Sequence, residues 1–410
     1  MSDTKIAYYD ELYTQLVAEF PDKPWITHIS QLVEKKANSI NVLGDKSISY
    51  GLSLFDSNDR YTTDQYFKNI ISESIFYGSN FLDILNGVKG LSNRNRLRTK
   101  FEAAFSRADA MRAIQFEIFS LIFIQGSGNK VEYMDYSLSN DTYDYLVTDN
   151  YNVKTQVECK SFAYDRGLYI TTNQANSIRE KILIGLEPKI ACLLNEPLNM
   201  LCSITIHVKQ KIGKDEKSLC ELVGKLLFAI ENGKGVKNNI FDIVIEKFSN
   251  LKNISDEFIF QDVPLKSKGI ELATHISMPQ ENNSRVHVRI TSELTEGYLK
   301  KFEKTCKDAA KKQLKKDRPA SIFIHFTNYF ILKESLNQKK FKRVITKIFE
   351  KDHLTSIVFA ANTHIEEKDE WPFFTIFPIF FVAKNANSKF KNSINFLDHL
   401  PNQKPVELTL

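Results

Sequence analysis

Asp144 is followed, after thirteen intervening residues, by Glu158-Cys159-Lys160. On a β-strand, side chains at i and i+2 share a face. A strand through VKTQVECKSF, 153–162, therefore sets Glu158 and Lys160 on one side and Val157 and Cys159 on the other. The preceding YDYLVT, 143–148, reads as a second short strand, and Asp149-Asn150-Tyr151-Asn152 between them has turn character. A tight turn brings the start of the first strand close to the middle of the second, and with it Asp144 close to Glu158. Two carboxylates and an ammonium in that grouping suit phosphodiester hydrolysis. A hard cation, Mg²⁺ or Mn²⁺, is held by one or two carboxylates and keeps several waters; it acidifies an attacking water and neutralises developing charge. Asp144 and Glu158 supply the carboxylates, the Cys159 backbone carbonyl a further oxygen, and Lys160 a cation to orient water or stabilise the transition state.

The tripeptide alone is a weak signal in a lysine-rich chain. Glu34 and Lys36 repeat it within a helical pattern, where i and i+2 do not share a face. Glu366 and Lys368 repeat it in the charged run EEKDE, and Asp215 and Lys217 in a similarly polar context. Only Glu158 and Lys160 combine a mid-strand setting with an Asp on a preceding strand. Glu117 adds a third carboxylate, on the helix before these strands. Its neighbours at helical spacing include Ala113, Ile114, Leu121 and Ile124, and a carboxylate among so many apolar side chains needs a partner. A metal-bound water, a second metal or Lys160 would serve, against the alternatives of a helix-packing salt bridge or a solvent-facing side chain.

Together, AIQFE (113–117), YD (143–144) and VECK (157–160) resemble the core of the PD-(D/E)xK nuclease superfamily. That core runs helix–strand–strand–strand–helix–strand, with a carboxylate on the first helix, Asp on the second strand and (D/E)xK on the third. The resemblance covers roughly residues 100–210, with Tyr143 standing where the motif has Pro. It implies a restriction-endonuclease-like mixed sheet flanked by helices, and a Mg²⁺- or Mn²⁺-dependent endonuclease acting on DNA before RNA, in restriction or anti-phage defence. It also implies an accessory catalytic role for Gln174 on the following helix, where many members carry a Gln. Arg179 and Lys181 on that helix are further candidates for phosphate contact. The alternative is a protein of the same fold that binds nucleic acid or a partner protein without cutting.

The elements that must position these residues form an α/β chain of 410 residues. Residues 1–95 read as a helical N-terminal region, 96–215 as the nuclease domain, and 240–410 as a second α/β domain for recognition or assembly. A long helical pattern from Asn93, broken near Ser106, stops at GSGN, 126–129. After the two strands, a helix spans about 172–186, and strands follow at 189–194 and 201–209. In the C-terminal domain, 285–291, 321–326, 355–361 and 373–382 read as strands, with helices at 296–316 and 341–351. That order looks like the latter part of the same core, with His287-Val288-Arg289 where a (D/E)xK would stand, so a degenerate second copy is an expectation.

Two basic stretches suit a polyanion. Arg94, Arg96 and Arg98 lead a series that continues through Lys100, Arg107 and Arg112. Lys300, Lys304, Lys307, Lys311 and Lys315 fall within a sector of about 80° of one helix, opposite Leu299, Phe302, Cys306, Ala309 and Gln313. Net charge is only +5 over 55 basic and 50 acidic residues, so placement matters more than total. Five scattered cysteines without a CxxC pair argue against a disulfide framework or zinc site and fit a reducing cytoplasm. The N-terminus lacks a signal-peptide pattern. The longest apolar run, 373–383, is broken by Pro378 and too short to span a bilayer. A homodimer and a regulatory partner protein both remain compatible with this reading.

Overall fold

The computed structural model describes residues 3–27, 29, 47–57, 65–87, 91–134, 142–162, 167–186, 200–213, 215–232, 235–248, 270–276, 285–326, 329–361, 364–367, 374–377, 380–391, 395–397 and 406–408. They form an α/β fold in two compact units. The first comprises 1–163, 305–329 and 345–410, and the second 164–304 and 330–344.

In the first unit the chain opens with helices α1 (Asp3–Glu19), α2 (Ser47–Asp56), α3 (Gln65–Gly87), α4 (Leu91–Phe105) and α5 (Ala108–Gly126). Their shared core is aromatic. Phe81 stacks on Phe101 at 3.6 Å between ring centres, and Trp25 meets Phe105 at 5.4 Å. The expected break near Ser106 separates α4 from α5. The chain leaves α5 through Gly128, whose φ of 79° is easy only for glycine. It then enters β1 (Lys130–Tyr133), β2 (Tyr145–Thr148) and β3 (Lys154–Phe162), an antiparallel meander.

The β2–β3 turn is built by Asp149, whose carboxylate accepts from the amides of Tyr151 at 2.9 Å and Val153 at 2.8 Å, while Asn152 takes a φ of 61°. Such side-chain-to-backbone bonding is why Asp and Asn favour turns. The turn fixes the register that pairs Tyr145 with Val157.

The second unit carries α6 (Thr172–Leu186), β4 (Leu201–Val208), α7 (Glu216–Glu231), β5 (Val236–Lys237), β6 (Phe241–Phe248), β7 (Ile270–Ile276) and β8 (Arg285–Ser292). Its strands form a five-stranded sheet ordered β5-β6-β4-β8-β7, with β4 and β8 parallel. One face of that central pair is apolar: Ile204, Ile206, Val286, Val288 and Ile290 are buried. The other is a hydrogen-bonded polar ladder. Ser203 meets His287 at 3.4 Å, and His207 meets Thr291 at 2.9 Å.

Helix α8 (Glu296–Lys312) returns the chain to the first unit. There β9 (Ala320–Phe326) lies parallel to β3. Helices α9 (Tyr329–Asn337) and α10 (Lys339–Ile348) precede β10 (Leu354–Ala361), parallel to β9. A hairpin, β11 (His364–Glu367) and β12 (Phe374–Phe377), precedes β13 (Phe380–Lys384) and β14 (Val406–Glu407). The result is a seven-stranded mixed sheet ordered β1-β2-β3-β9-β10-β13-β14. Helix α5 covers one face of it: Phe119 stacks on Phe380 at 5.9 Å, and Val157, Cys159 and Tyr145 join the same core.

Several expectations change here. The compact units do not follow the boundaries 96–215 and 240–410, because the strand that completes the first sheet beside β3 is β9. Strands 285–292 and 320–326, read together as a second copy of the core, lie in different sheets, so that copy does not form. The run 373–382, which reads as a strand or a strand pair, falls on the two strands β12 and β13, and Glu366 of the charged run lies in β11. The expected strand 189–194 lies outside the described residues. Among the described residues, no helix is long and apolar enough to cross a membrane.

Candidate functional site

β2 ends where β3 goes on. Tyr145 is opposite Val157, and beyond that pair, among the described residues, β3 keeps a strand neighbour only on its β9 side, from Glu158 with Ile322 to Phe162 with Phe326. Asp144 stands at this split. Its carboxylate accepts the Cys159 N–H at 2.6 Å, taking the place of a further strand-to-strand bond. One residue upstream of Tyr145, Asp144 falls alongside Glu158, and Glu158 is ion-paired with Lys160. The turn that sets the β2–β3 register therefore also brings the three residues together.

The face they occupy is tied to the end of α8 and the residues just beyond it. Gln156, on the same side of β3, exchanges two hydrogen bonds with the backbone of Lys315, donating at 2.9 Å and accepting at 2.7 Å. The Thr142 hydroxyl donates to the carbonyls of Lys312 and Gln313 at the end of α8, at 3.3 and 3.2 Å. Asp144 and Glu158 are buried, at 5% and 1% exposure, and Lys160, its side chain 27% exposed, is the member that reaches solvent.

Burial works against the Lys160 charge, but Glu158, by charge and hydrogen bond, and Asp144 beyond it outweigh burial and raise its pKa. The ammonium is thus held protonated, as a donor and a positive charge rather than a base. On the opposite face, burial first, and then the charges of Asp144 and Glu117, push the Cys159 thiol well up, with the nearby Ser120 hydroxyl pulling the other way and Glu158 adding to the rise. Cys159 is a neutral core residue and not a nucleophile.

Glu117 is placed differently from the trio. It sits on α5, on the side of Tyr133, Tyr145 and Val157. Its carboxylate receives Lys100 at 3.2 Å and the Tyr133 hydroxyl at 3.3 Å, and its backbone carbonyl receives the Tyr145 hydroxyl at 2.8 Å. The apolar neighbours that signalled a need for a partner were informative, and Lys100 and Tyr133 are partners the sequence did not point to. Gln174 belongs to the second unit. Its amide oxygen accepts from the Thr171 backbone at 3.0 Å, and its nitrogen donates to Gly213 at 3.3 Å. On the same helix Lys181 pairs with Glu216 at 2.6 Å, and Arg179, buried, lies 3.7 Å from Glu180.

The basic residues divide as well. Arg94 pairs with Glu19, and Arg98 donates to the Glu19 carbonyl at 3.5 Å, so both tie α4 to α1. Arg96 is exposed. On α8, Lys300, Lys304 and Lys311 are exposed and Lys307 is half-buried, over an inner face of buried Leu299, Phe302, Cys306 and Ala309. Lys315 lies beyond the end of the helix, which stops at Lys312 rather than 316.

Among the described residues, no group of three or more His, Cys, Asp and Glu side chains is gathered as a metal site. The donors at the strand split are two carboxylates on one side of β3, with the Cys159 carbonyl on the strand between Glu158 and Lys160. That set fits a hard cation that keeps most of its ligands as water or phosphate oxygen, and not a closed all-protein cage. No family model, curated protein or solved structure matches this chain.

Proposed function

We propose that this protein is a metal-dependent nuclease whose working residues are Asp144, Glu158 and Lys160. The single observation that carries the reading is the strand split, where two buried carboxylates and one lysine held as a cation meet beside β3 at the end of β2. The element order supports it too: α5, β1, β2, β3, α8, β9 runs helix–strand–strand–strand–helix–strand, with residues 164–304 of the second unit, which include the first part of α8, inserted after β3. Asp144 and Glu158 would hold Mg²⁺ or Mn²⁺, which supplies an acidified water and charge neutralisation at phosphate. Lys160 remains a donor throughout, placing its charge against the phosphoryl oxygens. Phosphate is the group this chemistry selects, and DNA is the first substrate to test. Glu117 holds Lys100 and Tyr133 behind the strand, and Gln174 is engaged locally, so neither is assigned a chemical step.

Purified protein incubated with linear, circular and single-stranded DNA and with RNA, in Mg²⁺, Mn²⁺ or EDTA, tests the reading. The expected result is metal-dependent cleavage lost in Lys160→Ala. The deep burial of Glu158 favours a second reading, a fold that binds nucleic acid without cutting; binding without cleavage under every metal condition would select it.

A further inference from the structure

We propose that Lys300, Lys304, Lys307 and Lys311 on α8 form a guide for the sugar–phosphate backbone of a double helix, gripping it without reading its sequence. The inference rests on the nucleic-acid reading above and narrows its substrate to duplex.

Three observations carry it. First, the row is continuous and directed. The four lysines fall within about 60° of the helix circumference and span about 17 Å, the axial rise of about five phosphates of one strand. Of the acids beside the row, Asp308 is engaged by Lys312 and Glu296 by Lys340, each at 3.1 Å, and Glu303 stands one turn before Lys307.

Second, the helix is fixed to the candidate site. The part of α8 in the first unit is pinned at its end through Thr142, two residues before Asp144, and just beyond it through Gln156, two residues before Glu158. Its inner face brings Cys306 within electrostatic reach of Lys160. A backbone held by Lys307 and Lys311 is therefore carried by a stretch of α8 anchored beside Asp144 and Glu158.

Third, α8 lacks what a single strand needs: its own aromatic rings, Tyr298 and Phe302, are buried. Proteins that hold single strands stack bases on exposed aromatic rings. Among the described residues, the exposed large aromatics are Tyr151 and Phe228, and neither is on α8. Point charges on a rigid rod, without stacking platforms or planar base-reading groups, suit phosphate contact alone.

The test is fluorescence anisotropy in EDTA, where no cutting interferes. Two duplexes of unrelated sequence and a single strand of equal length are titrated over a range of salt concentrations. The full-length protein is compared with the variant carrying Lys300→Gln, Lys304→Gln, Lys307→Gln and Lys311→Gln, and with Lys304→Glu alone. The two duplexes should bind alike and more tightly than the single strand. In the fourfold variant the slope of log K against log salt should flatten by about 3 to 4, with affinity at low salt down about tenfold or more. Lys304→Glu should weaken both duplexes equally. An unchanged slope in the fourfold variant, preference for the single strand, or no binding at all overturns the guide. Cleavage in Mg²⁺ that survives the fourfold change would leave the nuclease reading standing without the guide. Row-dependent duplex binding with no cleavage would do the reverse.

Discussion

Glu158 and Lys160 neutralise each other inside a sheet, and that makes each hazardous to remove alone. Lys160→Met leaves the Glu158 carboxylate buried with its ion-pair partner gone, a change that costs on the order of 3 kcal/mol. The expected outcome is a lower melting temperature for the variant, partly restored by Mg²⁺ or Mn²⁺, because a bound cation replaces the missing charge. A melting curve indifferent to metal would count against a cation site at Asp144 and Glu158. Glu73, on α3, poses a different problem: burial pushes its pKa up from 4.5 to about 7. A carboxyl whose folded pKa is raised binds its proton more tightly in the native state, so stability is greatest below the unfolded value and falls as pH rises from about 4.5 to about 7. Glu73→Gln should therefore stabilise the protein at pH 8 by ~1–3 kcal/mol and change little at pH 4. Melting curves at both pH values, with no gain at pH 8, would show that Glu73 is not charged at a cost. Of these residues the sequence revealed the trio, because strand alternation and a turn suffice to juxtapose them. It gave no sign of Glu73, whose burial depends on which side of a mostly apolar helix meets the core.

Elements show where local pattern is enough and where it is not. Helix α6 was legible end to end, and α5 stopped at its glycine turn as expected. β7 was not legible, because a register shift between Glu271 and Ala273 breaks its alternation, and β6 follows closely on residues 231–239, whose Lys, Gly and Asn give no strand pattern. Two packing contacts test the elements that matter most. Gly51 on α2 would bring a Cβ to 2.5 Å from the Ile70 carbonyl oxygen and against the Ser74 hydroxyl. Alanine gains up to about 1 kcal/mol of helix propensity over glycine, but backbone oxygen cannot move aside, so Gly51→Ala should destabilise by ~1–3 kcal/mol net. Urea unfolding of the variant gives the sign directly; a stabilised variant would mean that α2 and α3 can separate cheaply. Gln156→Leu removes both bonds between β3 and the Lys315 backbone and leaves that amide and carbonyl without them. It should cost ~1–3 kcal/mol by the same measurement, and an unchanged midpoint would mean that solvent or a neighbour replaces both bonds.

At the scale of the molecule, the sequence order misleads because the second unit interrupts the first. Consecutive elements are usually neighbours, and on that basis 96–215 looked self-sufficient. In the structure, β3 depends on Ile322, Phe323 and Ile324 of β9 for its parallel neighbour and for part of its core. A fragment spanning 1–215 should therefore fail to fold, giving a circular dichroism melt without a cooperative transition. A sharp melt from that fragment would show that β1–β3 and the helices suffice. The same dependence sets a timetable for synthesis. Glu158 meets Ile322, its ladder partner, only after about 160 further residues have been made. At roughly 5–20 residues per second, the nascent chain carries β3 with its hydrogen-bonding edge bare for some 10–30 s on the ribosome. Throughout that interval the first unit is a client for chaperones, and slowing translation between Ala163 and Ala320 should lower its soluble yield.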